Sequence, residues 1–323
     1  MKDVLFVSAQ PDVLYFHWQI KIYVHNFLQK GIDPNNIHVL FSLKDDRTQP
    51  SDGAIELLKF GINIHFFVDE RDKKNYIPSI KPYLVSKWLE KNSEYGKLFF
   101  LHDADIIFRN LPNFEKMTTD DKIYLSDTIG YLGYDYLKNC CKNYEKEYEN
   151  CLNEQLIDEM CEVVGIKKDI IITNQKNSGG GQYLIKNTDY KIWSKIYRNS
   201  NELYSKMIKF HRKFPISNGQ IQFWTAEMWS LLWNLFLIEK EVVVTDLLDF
   251  SWATDKIDVY EKKPILHMAG VTEDIKRDKF YKGDFINTSP LEILEKYPFF
   301  FDYINEESAT IKYIDIMKSI LKK

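Results

Sequence analysis

Two aspartates one residue apart, Asp103 and Asp105, interrupt an otherwise apolar run, LFFLHDADIIF at 98–108. A strand that delivers two carboxylates at its end can hold a divalent cation. Hard ions such as Mn²⁺ or Mg²⁺ take oxygen ligands and keep the remaining positions for phosphate or water. The same aspartates also read as an ordinary strand-to-loop exit with solvated carboxylates. His267, at the end of the apolar run ILHMAG (265–270), has two readings as well. It can be a satisfied core histidine, or it can supply the imidazole that complements two carboxylates on a transition metal. Lys279 and Lys282 follow downstream, with charge that could neutralise phosphates on such an ion.

Three further groups of residues could do chemistry. NSGGGQ at 177–182 approaches the apolar run YLI at 183–185, either as a flexible hairpin loop or as a place where backbone comes close to a ligand, which glycine permits. No Gly-Lys-Ser/Thr follows, so it is not a phosphate loop. Glu227 is the one carboxylate in FWTAEMWSLLWNLFL (223–237). Buried unpaired it would be expensive, so it is expected either hydrogen-bonded at a helix start or placed in a cleft. Lys206, Lys209, His211, Arg212 and Lys213 cluster at the end of an amphipathic run, as a solvated face or as a contact for an anionic partner.

The elements that must position these groups alternate. Apolar runs at 4–8, 37–42, 64–68 and 98–102 read as strands, with a turn at Gln10-Pro11-Asp12 and a loop at 43–53. Between them, Phe16, Ile20, Tyr23 and Phe27 recur at helical spacing up to Gly31. A short helix is expected at 54–60, ending at Gly61, and the stripe Ile80, Leu84, Val85, Trp88 and Leu89 marks another that closes near Gly96. This alternation predicts parallel βαβ units, in which ligands collect outside the carboxyl ends of the strands. Ser8-Ala9-Gln10 and Asp103-Ala104-Asp105 both fall at such ends. Later strands are expected at 123–126, 183–185, 242–245 and 265–268, a polar helical insertion over 134–164, and a helix over 189–210.

The 323 residues are 45% hydrophobic and 28% charged, enough apolar surface for one large α/β domain or two ordinary ones. A net charge of −4 argues against a broad nucleic-acid footprint. No stretch approaches the ~20 apolar residues of a membrane helix, and MKDVLFVSAQ enters a strand-like run without a signal-peptide pattern. Cys140, Cys141, Cys151 and Cys161 share one segment, match no common zinc spacing and are expected as reduced thiols. Together these features predict a soluble cytoplasmic protein with no membrane span. The Lys-, Ile-, Tyr- and Asn-rich composition resembles that of proteins from AT-rich viral, phage or microbial genomes.

The order SAQ, D-A-D, NSGGGQY, EMW and HMAG resembles the GT-A fold of nucleotide-sugar-dependent glycosyltransferases. Trp18-Gln19 with LHDADIIF, GGGQY and TAEMW is similar, more narrowly, to the hydroxyproline O-arabinosyltransferase and peptidyl-serine galactosyltransferase group. The resemblance runs from about residue 4 to 283 and is weakest over 134–174. It implies a single domain over 1–323, with a Rossmann-like, mixed but mostly parallel sheet flanked by helices. Within it, 1–108 would be the nucleotide-binding half and 109–289 the acceptor and donor-sugar half, carrying the helical insertion. Residues 290–323 would be a C-terminal helical segment.

The resemblance also implies roles. Asp103, Asp105 and His267 would hold Mn²⁺ or Mg²⁺, with Asp103 also facing the donor ribose. Lys282 would meet the diphosphate of a UDP-sugar. Ser8, Ala9 and Gln10 would wall the uracil and ribose, and Lys81, Ala104, Gly180, Gly181 and Gly270 would complete the donor site. Glu227 and Gln182 would be catalytic, beside the transferred pentose or hexose. Retention of configuration is implied, with a protein, a glycan or a modified DNA base as acceptor. The enzymes of that group, from plants and algae, carry secretory-pathway anchors, and this chain is expected to carry none. Transfer to hydroxymethylated DNA bases, served by the 206–213 cluster with Phe210 and Phe214 as stacking rings, is the alternative. A catalytically silent nucleotide- or carbohydrate-binding protein is another.

Overall fold

Ten short apolar runs become strands in the computed structural model of the chain, which describes residues 4–44, 49–151, 154–238 and 240–322. In chain order they are β1 (Leu5–Pro11), β2 (Ile37–Leu43), β3 (Asn63–Val68), β4 (Leu98–His102), β5 (Ile106–Phe108), β6 (Ile123–Asp127), β7 (Gly179–Lys186), β8 (Val242–Val244), β9 (Phe250–Trp252) and β10 (Ile265–His267). Seven make a mixed sheet in the order β3-β2-β1-β4-β7-β6-β8, and β5-β10-β9 make a second, three-stranded sheet. The pairs β1–β2, β2–β3 and β6–β8 are parallel, whereas β6–β7 is antiparallel. The α/β class with a mostly parallel sheet and flanking helices is therefore as expected. Parts of the predicted loop at 43–53 and of the 134–164 insertion, residues 45–48 and 152–153, lie outside the described residues.

By packing, the chain divides into two compact units that interleave in sequence. The first comprises Met1–Asp69, Leu101–Lys116 and Leu247–Lys323. Here the helix Leu14–Gln29 is buried on more than one side, because aromatic and β-branched residues occupy most of its turns. Ile20, Tyr23 and Phe27 are buried, while Trp18 and Ile22 enter a cluster with Phe285, Phe301, Tyr313 and Met317 of the C-terminal segment. The Trp18 indole donates to the Phe285 carbonyl at 3.0 Å, which satisfies the polar edge of a buried ring. Gly31, at φ 80°, ends the helix in the left-handed conformation that glycine adopts without penalty. That C-terminal segment carries the helices Pro290–Lys296 and Ile311–Leu321.

One expectation for this unit needs correcting. The turn placed at 10–12 is strand as far as Pro11, which pairs in register with Ser42. A proline forfeits only its own N–H, so at the last position of a strand it costs the ladder at most one bond. The run IIF after the aspartates is the separate strand β5, held on its far side by a helix residue. Asn26 accepts from the Phe108 N–H at 2.7 Å and donates to the Phe108 carbonyl at 3.1 Å.

The second unit comprises Glu70–Phe100 and Met117–Asp246. The helices Ile80–Lys91, Tyr190–Lys213 and Ala226–Phe236 pack together in it, with Trp88, Trp193, Trp229 and Trp233 fully buried. Polar side chains bridge the helices: Ser86 donates to the Tyr190 carbonyl at 3.0 Å and Ser230 to the Ile196 carbonyl at 2.7 Å. Asp189 caps its helix by accepting from the Lys191 and Ile192 N–H groups. The polar insertion forms the helices Tyr134–Glu147 and Gln155–Val164, and its four cysteines are buried free thiols. Among the described residues, no helix is long and apolar enough to cross a membrane.

The glycines at 179–181 belong to strand β7 and not to a hairpin loop. A Cβ on Gly179 would lie 2.5 Å from the Ser126 carbonyl oxygen, so the neighbouring backbone of β6 requires glycine there.

Candidate functional site

Strand pairing brings the metal-type residues together in the first unit. β5 starts directly after Asp103-Ala104-Asp105 and pairs antiparallel with β10, placing His267 opposite Ile106. The Met268 N–H donates to the Asp105 carbonyl at 2.9 Å, one step further along the same ladder. This register carries the imidazole to the carboxylates. His267 Nε2 lies 3.3 Å from Asp105 Oδ1 and 3.6 Å from Asp103 Oδ2. One ligand atom from each of the three residues falls within 4.8 Å of the others, the one such cluster of metal-ligating side chains among the described residues.

Asp105 and His267 are buried, while Asp103 is half-buried at the open side. The Lys282 ammonium donates to Asp105 Oδ2. Burial pushes the Asp105 carboxyl up, but Lys282 and His267 outweigh it and hold the group well below the usual carboxylate range. Burial likewise pulls the Lys282 ammonium down, and Asp105 more than reverses it, so the amine is raised and stays charged. Two carboxylates and an imidazole form a donor set that fits Mn²⁺ or Mg²⁺, with Asp103 and Asp105 supplying the hard oxygens. Lys282 is a cation already in place beside them.

A cavity of about 250 Å³ adjoins this cluster, lined by Tyr15, Met268, Gly270, Tyr281, Lys282 and Gly283 among others. Gly270 sits there at φ 91°. Burial raises the Tyr15 hydroxyl; among the charges that act on it, Lys282 lowers and Asp105 raises it. Lys279, in contrast, is engaged with Asp278 at 2.8 Å. Of the strand-end residues, Ala104 is buried between the two aspartates, and the Ser8 hydroxyl meets Tyr23 Oη at 2.9 Å. Ala9 and Gln10 are also buried, and the Gln10 amide donates to the Leu40 carbonyl at 3.4 Å.

Three residues of this unit were missed by sequence reasoning. Trp252 stacks on the His267 imidazole, with ring centroids 5.6 Å apart and planes 22° apart, and Phe250 flanks it at 5.6 Å. The parallel pairing of β9 with β10, Trp252 beside His267, creates that contact, and nothing local to either segment announces it. Tyr15 likewise falls within the expected helix but outside its apolar stripe.

In the second unit Glu227 occupies the first turn of Ala226–Phe236, where the helix dipole favours a carboxylate. It is buried, and Lys81 Nζ lies 3.6 Å from Oε2. The Tyr76 hydroxyl accepts from the Glu227 N–H at 2.8 Å and donates to the Trp224 carbonyl at 2.6 Å, pinning the turn that leads into the helix. Burial raises the Tyr76 hydroxyl well above its ordinary range, and the nearby Glu227 carboxylate adds to that. Gln182 is buried on β7 and accepts from the Ser126 hydroxyl at 2.7 Å. A Cβ on Gly180 would lie 2.7 Å from Met228 Cε and 2.8 Å from Tyr183 Oη, while Gly181 holds φ 79°. Lys206 pairs with Glu159 at 3.6 Å, and Phe210 and Phe214 are buried, so neither ring can stack on a base.

No known family's profile matches the chain, and no curated protein does. Solved structures do. The apo structure of the bifunctional glycosyltransferase WbbM is 11% identical with a TM-score of 0.48, covering 90% of this chain and 50% of its own. The chain thus spans about half the length of that protein. The galactosyltransferase LgtC, in complex with donor and acceptor sugar analogues, is 12% identical with a TM-score of 0.43, covering 97% and 95%. Mouse xyloside xylosyltransferase 1, in its apo form, is 10% identical with a TM-score of 0.41, covering 82% and 97%. All three are glycosyltransferases by name.

Proposed function

We propose that the chain is a metal-dependent glycosyltransferase of the GT-A type that moves a sugar from a nucleotide-sugar, UDP-linked, to an acceptor hydroxyl. The observation that carries this reading is the cluster of Asp103, Asp105 and His267 with Lys282 held on Asp105. A buried carboxylate kept ionised by a lysine and facing an imidazole is a costly arrangement for a core and a useful one for a cation with phosphates. Asp103, Asp105 and His267 would hold Mn²⁺ or Mg²⁺. Such an ion supplies charge neutralisation on a diphosphate leaving group.

The residues of the chain would do the rest. Lys282 contacts the same phosphates as a second cation. Tyr15 and Gly270 line the cavity beside it, and Ser8, Ala9 and Gln10 wall the base and ribose. Ala104, buried between the two aspartates, belongs to the donor site in this reading. The acceptor oxygen forms the new bond to the sugar carbon as the bond to the diphosphate breaks. With retention of configuration, the acceptor proton passes to the departing phosphate oxygen. Within the second unit, Lys81 pairs with the Glu227 carboxylate.

A donor screen tests the reading without knowledge of the acceptor. Hydrolysis of UDP- and GDP-sugars in Mn²⁺ is followed for the parent and for folded Asp105→Ala and His267→Ala proteins. Metal-dependent release of UDP that vanishes in both variants is the expected result. Full activity in either variant rejects the metal site. UDP binding that ignores metal, with no donor turned over, would indicate a silent binding protein.

A further inference from the structure

We propose that the exposed indole of Trp224, with the amide-bearing turn before it, is a carbohydrate-binding platform that holds a sugar ring of the acceptor at the start of the helix carrying Glu227. This rests on the glycosyltransferase reading. Of the seven tryptophans, Trp18, Trp88, Trp193, Trp229 and Trp233 are fully buried and Trp252 is half-buried against His267. Trp224 is 65% exposed. A large apolar ring left in water on an otherwise packed element is a recognition feature when its backbone is rigid.

The backbone here is rigid. Tyr76, buried and stacked on Tyr204 at 4.3 Å, clamps the turn through one hydroxyl that serves both the Trp224 carbonyl and the Glu227 N–H. The Tyr76 ring also meets the Trp224 ring edge-on at 6.2 Å. The preceding turn is fixed as well. Asn143 donates to the Gly219 carbonyl at 3.1 Å, and the Gln222 N–H donates to Tyr136 Oη at 3.1 Å. Gly219 is obligatory there: its φ is 71°, and a Cβ would fall 2.3 Å from the Asn143 amide.

The chemistry of the surface names the ligand class. Asn218, Gln220 and Gln222 are exposed, and residues 217–224 carry no charge. A flat apolar face beside neutral amides, each both donor and acceptor, complements a sugar ring, which has an apolar C–H face and a rim of hydroxyls. A nucleic-acid strand would call for cations along this turn, and it has none.

The test uses the full chain and an array of neutral and acidic oligosaccharides with single-stranded DNA spots alongside. The parent is expected to bind a subset of the glycans, and the bound glycan to shield the exposed indole from acrylamide quenching. Trp224→Ala should weaken that binding by roughly tenfold or more, as for a central aromatic anchor, and Trp224→Tyr should retain part of it. Unfolding curves check that both variants are folded; if the alanine protein is not, Trp224→Tyr and the quenching decide. Equal glycan binding by Trp224→Ala, no glycan bound by the parent, or capture of DNA in preference to glycans would overturn the platform. Calorimetry of UDP with Mn²⁺ on the parent separates the two claims. UDP binding without glycan binding sinks the platform alone, and glycan binding through Trp224 without UDP binding sinks the transferase reading.

Discussion

Asp105→Asn isolates the electrostatics of the cluster from its use. In the metal-free protein the Asp105 side chain is 8% exposed and that of Lys282 20%. Replacing the carboxylate by an amide leaves the Lys282 ammonium without its counter-ion. Stranding one partner of a buried pair costs about 3–5 kcal/mol, and the partial exposure of Lys282 lowers this to about 2–3 kcal/mol. Adding Lys282→Met removes the stranded charge, so the double variant should return to within about 1 kcal/mol of the parent. Urea unfolding in a chelating buffer at neutral pH measures all three proteins. The pH dependence has a definite sign. The folded Asp105 carboxyl lies below its ordinary 3.8, so its stabilisation is present above that pH and is lost as the unfolded chain takes up the proton. The deficit of Asp105→Asn should therefore shrink below about pH 4. A single variant within about 0.5 kcal/mol of the parent, or a double variant less stable than the single, would refute the coupling.

Three other perturbations follow from the packing. His38 and His65 share a hydrogen bond at 3.0 Å, and burial lowers each from 6.5 to about 4. Folding stability should then fall as pH drops from 7.5 to 5, by about 2 kcal/mol for each histidine, and a His38→Gln/His65→Gln protein should lose clearly less; an equal loss would clear the pair. Asn26→Ala deprives the buried Phe108 N–H and carbonyl of their partner and should cost about 2–4 kcal/mol, with faster amide exchange at Phe108. Gly179→Ala meets the Ser126 carbonyl and should cost about 1–3 kcal/mol, whereas Gly31→Ala has open space and bears only the cost of its positive φ, about 1 kcal/mol, as unfolding curves would show.

The parallel first half was legible because its strands and helices differ in hydrophobic period, and glycines at 31 and 61 punctuate them with positive φ. Grouping Asp103 and Asp105 with His267 was one of two readings open at those strand ends, beside solvated carboxylates and a core histidine, and the β5–β10 pairing brings the three together. What could not be read was lateral. Trp252 stacks on His267 only because β9 and β10 lie in parallel register, and Asn26 clamps β5 only through tertiary packing. Three-residue strands such as β5 carry too little pattern to separate from the strand before them. Glycines 179–181 resembled a loop by composition, but the backbone of β6 makes them strand. Phe210 and Phe214 looked available to a base and are instead core.

The central claim is that Asp103, Asp105 and His267 bind a divalent cation. Titration of Mn²⁺ into the parent in the presence of UDP, followed by electron paramagnetic resonance of the free ion, measures it without any acceptor. Saturable binding of one ion by the parent is expected, with affinity reduced at least ~10–100-fold in His267→Ala, the scale of disturbing a metal site. A parent that leaves the Mn²⁺ signal free, or a His267→Ala protein that binds as well as the parent, would contradict it.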